Sequence, residues 1–499
     1  MIDLTINEEN LKRSVEAAKK RNILIPTFRQ MRNPDAHTPA KIKEKLRNTG
    51  LWDVDPANLF RITWKNQPQK SGGLYGRVNA FELPREITGV RARIFALCGK
   101  WFPTGAHKVG ASFACLAPRL VTGQFDPTKH RAVWPSTGNF CRGGAYNAQL
   151  LGCESVAILP EGMSRERFEW LSTVAGEIIA TPGTESNVKE IYDKVAEIRA
   201  TRPDAVIFNQ FEEMGNHLWH YTVTGSAMEE VFNDVRGSKD RFAGAVVTSG
   251  SAGTTAAGDY LKEVFPHSKF GAGEALQCPT LLWNGFGEHR IEGIGDKHVP
   301  WVHNVKNTDF VFAIDDSACM AMIRFCNEPE GHKYLRSIGV GDADVEKLSL
   351  MGISGAANVL MAIKLAKYCE FTENDIILTV FTDSMEMYGS RLAEMNEAQK
   401  KAGGLGTCGL SDYTQTQAAI DHNRYVLGSG IDGMQELSYY DRKRIHNLKY
   451  YTWVEQQGKT SEELSAQWYD RDYWDSVHRM AGVIDEKIDA FNKMTGLGE

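Results

Sequence analysis

Between residues 90 and 395 short apolar runs alternate with stretches of helical periodicity, and this alternation limits the possible folds more than any other feature of the chain. A short continuous apolar run suits a strand buried on both faces, and strands separated by helices suit a parallel sheet with crossover connections. Ile94–Leu97, Ala132–Trp134, Ser155–Leu159, Glu177–Ala180, Ala205–Phe208, Ala243–Val247, Thr280–Trp283, Asp309–Ala313 and Asp375–Val380 are read as those strands. The fold class is α/β. The flanks differ. Residues 1–85 hold a polar helix candidate, Glu8 to Lys20, and an aromatic patch from Trp52 to Trp64, with Gly72-Gly-Leu-Tyr-Gly76 read as a turn. Residues 396–499 are polar, and Tyr439, Tyr440, Tyr450, Tyr451, Trp453, Trp468, Tyr473 and Trp474 recur there at loosely helical intervals. This predicts amphipathic helices packed on the body or on a partner subunit. The chain is divided accordingly into an N-terminal extension (1–85), a central core (86–395) and a helical C-terminal extension (396–499).

Within the core, Phe102-Pro-Thr-Gly-Ala-His-Lys108 follows the first strand and leads into a run of small and apolar residues from Val109 to Leu120 that reads as a buried helix. A lysine where a Gly-containing turn enters a buried helix loses hydration. Its amine pKa falls, and the neutral amine is a nucleophile toward a carbonyl.

Three further loops follow strands, where open parallel sheets gather functional groups. Ser136-Thr-Gly-Asn139 opens a helix through Gly143, Ala145 and Ala148, and exposed N–H groups with two hydroxyls suit a carboxylate, although a plain Ser/Thr N-cap reads the same way. Gly250-Ser-Ala-Gly-Thr254 precedes a small-residue helix and is a nest of N–H donors suited to a phosphate. It lacks the Gly-Lys-Ser/Thr ending of a P-loop and the G-x-G-x-x-G of a dinucleotide fold, so ATP and NAD are poorly supported. Thr382-Asp-Ser-Met-Glu-Met-Tyr388 follows the last core strand and places a hydroxyl, Ser384, where it can meet a ring nitrogen. A lysine amine, a phosphate nest, a carboxylate loop and a terminal serine together point to pyridoxal phosphate with an amino-acid substrate.

Composition removes other classes. Hydrophobic residues at 42% and charged residues at 24% describe a globular chain, and a formal charge of -6 gives no electrostatic reason to expect nucleic acid or an anionic membrane. No apolar run reaches membrane-span length and the polar, acidic start lacks signal-peptide features, so a cytoplasmic protein is expected. Nine cysteines without C-x-x-C spacing read as reduced core residues. His217-x-x-His220 has no nearby Cys or acidic pair at zinc-site spacing, so no metal is expected.

Pro103-Thr-Gly-Ala-His-Lys108, Ser136-Thr-Gly-Asn139, Pro160-Glu-Gly-Met-Ser-Arg-Glu-Arg167, Thr181-Pro182, Asn209-Gln210, Gly250-Ser-Ala-Gly-Thr254, Ile291-Glu-Gly-Ile-Gly295, Gly352-Ile-Ser-Gly355 and Asp383-Ser384 resemble, in order, the signatures of fold-type II pyridoxal-phosphate enzymes. That is the tryptophan synthase β-like superfamily, and the closest resemblance is to its cysteine synthase and cystathionine β-synthase branch. The resemblance implies two open parallel-sheet lobes flanked by helices, the smaller, mobile lobe covering about residues 136–225. It implies that Lys108 holds the cofactor as an imine and later removes the substrate α-proton. Asn139 is similar to the residue bonding the cofactor's ring oxygen. Ser136, Thr137, Gly138 and Asn139, with Gln210, resemble the group that holds the substrate carboxylate. Gly250, Ser251, Ala252, Gly253 and Thr254 match the phosphate cup, and Ser384 matches the partner of the pyridine nitrogen.

The implied activity is β-elimination or β-replacement on a serine- or cysteine-like amino acid through an aminoacrylate, by a homodimer, with a further partner subunit left open. Serine or threonine dehydration, threonine synthesis, thiolysis of an amino-keto acid by a partnered β-subunit, and a non-catalytic subunit role stand as alternatives. The chain also departs from its relatives. Gly-Ala-His-Lys is what tryptophan synthase β-chains carry, yet Ser136 stands where those chains have a catalytic Glu, and bulky Phe140 stands where cysteine synthases have a small residue. No His and Cys pattern supports an N-terminal haem.

Overall fold

The computed structural model describes residues 2–68, 73–136, 138–183, 188–295, 297–401 and 428–497. Eleven strands are described: β1 Ala80–Glu82, β2 Arg93–Cys98, β3 Arg131–Pro135, β4 Glu154–Pro160, β5 Glu177–Thr181, β6 Ala205–Ile207, β7 Arg241–Thr248, β8 Lys269–Ala275, β9 Phe310–Ile314, β10 Asp375–Phe381 and β11 Met434–Glu436. They form a seven-stranded sheet in the order β1-β2-β10-β7-β8-β9-β11 and a four-stranded sheet in the order β5-β4-β3-β6. All pairings in the smaller sheet are parallel. In the larger sheet only the edge strands β1 and β11 run antiparallel to their neighbours. These edges come from segments read as extensions, so the sheet reaches into both flanks of the chain.

The core strands form because helices cover both faces and every position can be apolar. β10, Asp-Ile-Ile-Leu-Thr-Val-Phe, is buried along its whole length. β8 departs from the expectation, since Lys-Phe-Gly-Ala-Gly-Glu-Ala lacks the β-branched residues that mark a strand. Its glycines are required by neighbours. A Cβ on Gly271 would lie 2.4 Å from the Phe312 ring, and one on Gly273 would lie 1.9 Å from Met361 Sδ. Thr280–Trp283, expected as a strand, is a short helix. The buried Glu274 carboxylate accepts from the N–H groups of Leu281 and Leu282 at 2.7 and 2.8 Å, which satisfies that helix start.

The flanks fold onto the body. Glu8–Lys20 is a helix capped by Asn7, as its sequence indicates. Val477, Ile484, Ile488 and Phe491 of the long helix Tyr473–Thr495 share one apolar core with Leu11, Ile23, Ile25 and Phe28. Asn492 closes the contact by accepting from Ile25 N at 3.0 Å and donating to Ile25 O at 2.8 Å. Lys449, fully buried, donates to Trp301 O, His303 O and Gln467 Oε1 at 3.0, 2.6 and 2.7 Å. No single helix among the described residues is long and apolar enough to cross a membrane.

Gly273→Ala is expected to destabilise the protein by about 1–3 kcal/mol through overpacking against Met361. Met361→Ala in the same chain should recover part of that loss, which a double-mutant cycle in chemical denaturant measures. An additive pair would show that the glycine is not there for the methionine.

Candidate active site

The carboxyl ends of β2, β3, β7 and β10 bring the predicted loops together. Lys108 begins the helix Lys108–Val121. The turn ahead of it is tight: Thr104 and Gly105 have φ values of 70° and 68°. Its neighbour His107 fastens the turn to the loop after β10, with its backbone N–H on Thr382 O at 3.3 Å and Nε2 3.1 Å from Thr382 Oγ1. Burial first, and then the nearby ammonium of Lys108, holds the His107 imidazole neutral, well below its ordinary pKa. The helix cannot slide. A Cβ on Gly110 would lie 2.0 Å from the Trp219 ring, a Cβ on Gly143 would lie 2.8 Å from Val109 Cα, and Asn147 Nδ2 donates to Val109 O at 2.7 Å.

Lys108 Nζ points at the loop after β7 and donates to Ser251 Oγ at 2.6 Å. The side chain is partly open to the cleft, but its amine sits below the surface, and desolvation lowers its pKa to about 8. Ser251 Oγ also accepts from Asn216 Nδ2 at 3.0 Å. With both lone pairs used, the Ser251 hydroxyl is left as a donor. Ala252 has φ 56°, the left-handed turn of an anion nest. The N–H groups of Gly250 to Thr254 donate to no acceptor among the described residues. A Cβ on Gly253 would fall 1.9 Å from Asn216 Oδ1, so this position has no room for a side chain.

On the other side of the cleft, Gln210 Nε2 and the Gly138 N–H donate to Ser136 Oγ at 3.1 and 3.2 Å. Ser136 is thereby also left as a donor. Thr137 lies outside the described residues. Asn139 Nδ2 donates to Asp383 Oδ2 at 2.7 Å, which fixes the amide and leaves its second N–H available. Asp383 Oδ2 also accepts from Tyr388 OH at 2.7 Å. Burial raises the Asp383 pKa, opposed chiefly by the Arg167 charge and the Asn139 hydrogen bond. Ser384 is buried in the loop that follows β10.

Several residues here carried no role in the sequence reading. Asn216 joins the phosphate loop to the Gln210 carbonyl, at 2.9 Å from the latter. Arg167 is fully buried and ion-paired to Glu292, with Asp383 3.9 Å away. Arg142 is buried with its Cζ 4.7 Å from the Trp170 ring and 5.7 Å from the Trp52 ring. Burial lowers its pKa to about 10, so it keeps its charge at neutral pH. The available signal was a charged or amide residue inside an apolar or small-residue segment, as in Met214-Gly-Asn-His-Leu-Trp and Asn139-Phe-Cys-Arg-Gly-Gly. Of the His217-x-x-His220 pair, His220 faces Thr224 Oγ1 at 3.0 Å and the His107 ring, whereas His217 faces His478.

A desolvated amine opposite a run of unused N–H donors describes a protein that holds an anionic carbonyl compound between two parallel-sheet lobes. The family model described as pyridoxal-phosphate dependent enzyme matches residues 73–383, and the chain belongs to that family. Its fold is fold-type II and its cofactor is pyridoxal phosphate. Cystathionine beta-synthase of Saccharomyces cerevisiae is 27% identical over 326 residues, 63% of this chain and 60% of that protein. A probable cysteine synthase of Bacillus subtilis is 25% identical over 57% of this chain and 85% of that protein. A hydrogen sulfide-producing enzyme of Fusobacterium nucleatum, solved with an α-aminoacrylate intermediate, superposes with a TM-score of 0.53 at 25% identity, covering 62% of this chain and 87% of that one. The residues present fit the cofactor: a nest with unused N–H groups and no room for a Cβ suits its phosphate, and a low-pKa amine suits its aldehyde.

Protonated amine cannot add to a carbonyl, so uptake of pyridoxal phosphate by the apoprotein should accelerate as pH rises through about 8, not near the usual 10.5. Stopped-flow absorbance reads this midpoint. Borohydride reduction and peptide mapping should then place the label on the peptide containing Lys108.

Proposed function

We propose that the chain catalyses β-elimination or β-replacement on a serine- or cysteine-like amino acid. The observation that carries this reading is the pairing of Lys108 Nζ with Ser251 at 2.6 Å, linked through Asn216 and Gln210 to the Ser136 hydroxyl on the loop after β3. The cystathionine beta-synthase and cysteine synthase relatives support it.

In this reading Ser136, Thr137, Gly138 and Gln210 hold the substrate carboxylate, the Ser136 hydroxyl donating because both its lone pairs are already used. Asn139 donates its free N–H to the cofactor's ring oxygen. Gly250 to Thr254 hold the phosphate. Bound pyridoxal phosphate supplies an electron sink for the substrate α-carbon. Lys108 Nζ, neutral in a large fraction of molecules near pH 8, takes the α-proton and later returns it. Ser384, a hydroxyl and not a carboxylate, would hold the pyridine nitrogen without requiring it to be charged, and this choice of residue favours expulsion of a β-substituent over transamination.

The smaller lobe, about residues 136–225, closes when the carboxylate engages its donors. The enzyme works in the cytoplasm as a homodimer. None of the eight described cysteines lies in a disulfide, which suits a reducing compartment, and exposed Tyr440, Tyr451 and Tyr469 on the C-terminal helices offer surface for a second copy.

O-acetylserine, O-phosphoserine, serine, cysteine and threonine should be screened for release of the β-substituent. At least one serine or cysteine derivative should turn over, and Lys108→Ala should lower its rate by about 10²-fold or more. Ser384→Asp should lower elimination and raise side reactions at the α-carbon. Turnover of threonine alone, or transamination matching elimination, would replace this reading. In hydrogen exchange, a substrate amino acid should protect residues within 136–225 and its decarboxylated amine should not. Equal protection by both would remove the carboxylate as the trigger.

A further inference from the structure

Behind the phosphate loop three buried side chains from three helices converge. His217 lies on Met214–Trp219, Asp259 on Ala256–Val264 and His478 on Tyr473–Thr495. The two Nε2 atoms are 3.0 Å apart, and Asp259 Oδ2 is 3.5 Å from that of His217 and 3.7 Å from that of His478. An ion centred in a triangle with these sides lies about 2 Å from every donor, the length of a zinc–imidazole or zinc–carboxylate bond.

The surrounding hydrogen bonds set the donors. His217 Nδ1 lies 3.0 Å from Val302 O, so this ring directs its Nδ1 proton to that carbonyl and turns Nε2 toward the cluster, while the Glu263 carboxylate faces His478 Nδ1 at 3.5 Å. The two Nε2 atoms face each other across 3.0 Å, a contact that a metal ion or a shared proton between them relieves. Asp259 Oδ2 supplies a third, anionic donor facing the gap between the rings, and Asn304 and Asn307 hold this carboxylate in place, donating at 3.1 and 2.8 Å. Outward hydrogen-bond partners on His217 and Asp259 are the arrangement that orients metal ligands. The Tyr221 ring stacks on His478 at 3.7 Å and closes the outer side.

We propose that His217, Asp259 and His478 bind one divalent transition-metal ion of the zinc class, which staples the C-terminal helix to the back of the cofactor's phosphate loop. His217 adjoins Asn216, whose amide bonds Ser251, and Asp259 lies on the helix that the phosphate loop opens. The ion therefore sets the spacing between the two helices that carry the loop's support. It holds structure and takes no part in the proton transfer at Lys108.

The test uses the full-length, tag-free chain. Protein from zinc-supplemented growth should retain one zinc per chain through gel filtration. Chelator-treated protein given Co2+ alone should develop the visible bands of tetrahedral cobalt, Zn2+ should displace them, and either ion should raise the thermal midpoint by about 3 °C or more. Asp259→Asn and His478→Gln should lose the bands and the shift, and His267→Gln, at an exposed histidine, should keep both. Because His478 also packs in the core, His478→Cys provides a ligand exchange: it should bind Co2+ with a new thiolate-to-cobalt charge-transfer band. Absence of metal uptake and thermal shift in the wild-type chain would mean a shared proton only, and would overturn the proposal. Uptake that survives in Asp259→Asn and His478→Gln, or His478→Cys binding cobalt without the thiolate band, would place the ion elsewhere and overturn it equally.

Discussion

The amine of Lys108 is useful only if it is desolvated and fixed, and much of the surrounding structure serves that constraint. An exposed lysine would keep its ordinary pKa and its rotamer freedom. Here the helix that begins at Lys108 is set between the Trp219 ring and the helix Asn139–Leu150, with glycines at 110 and 143 because neither contact leaves space for a Cβ. His107 ties the preceding turn to Thr382. A one-residue displacement anywhere in this set would move Nζ off Ser251 and out of the cleft.

The cleft is closed from both sides by bonds between loops of the two sheets. Asn139 and Arg167 of the smaller sheet meet Asp383 and Glu292 of the larger, Glu166 accepts from Ser390 N and Oγ at 2.8 and 2.6 Å, and Arg391 donates to Gly162 O at 2.5 Å. Three of the charged partners, Arg167, Glu292 and Asp383, are buried. Burying such charges costs hydration that pairing only partly offsets, so the contact contributes geometry more than stability. The same residues set the orientation of Asn139. Lobe contact and the presentation of the Asn139 amide are therefore one event and not two.

The two chain ends act on this arrangement from behind. Tyr473–Thr495 lies against the N-terminal segment on one side and against His217 on the other. Lys449, with three carbonyl acceptors and no countercharge among them, pins the segment from Trp301 to His303. Loss of the C-terminal helices would thus expose the helix that carries Asn216 as well as apolar core.

Sequence by itself determined the parallel-strand core, the four loops at the carboxyl ends and the lysine, because each rests on local chemistry: apolar runs, Gly turns, hydroxyls beside helix starts. β10 and the helix start at Asn139 were legible for that reason. What only the tertiary structure decided depends on neighbours distant in the chain. β8 is a strand because Phe312 and Met361 fill the space above its glycines, and Thr280–Trp283 is a helix because a carboxylate from β8 receives its N–H groups. Asn216, Asp383 and Arg167 gain their roles from partners 35 to 244 positions away, as Asn216 does from Ser251 and Asp383 from Asn139. The partner of His217 is His478, separated from it by 261 positions, and no spacing rule on one helix reveals it. Periodicity and motif report the conformation of a segment. Which side chains meet is set by packing, and packing is a property of the whole fold.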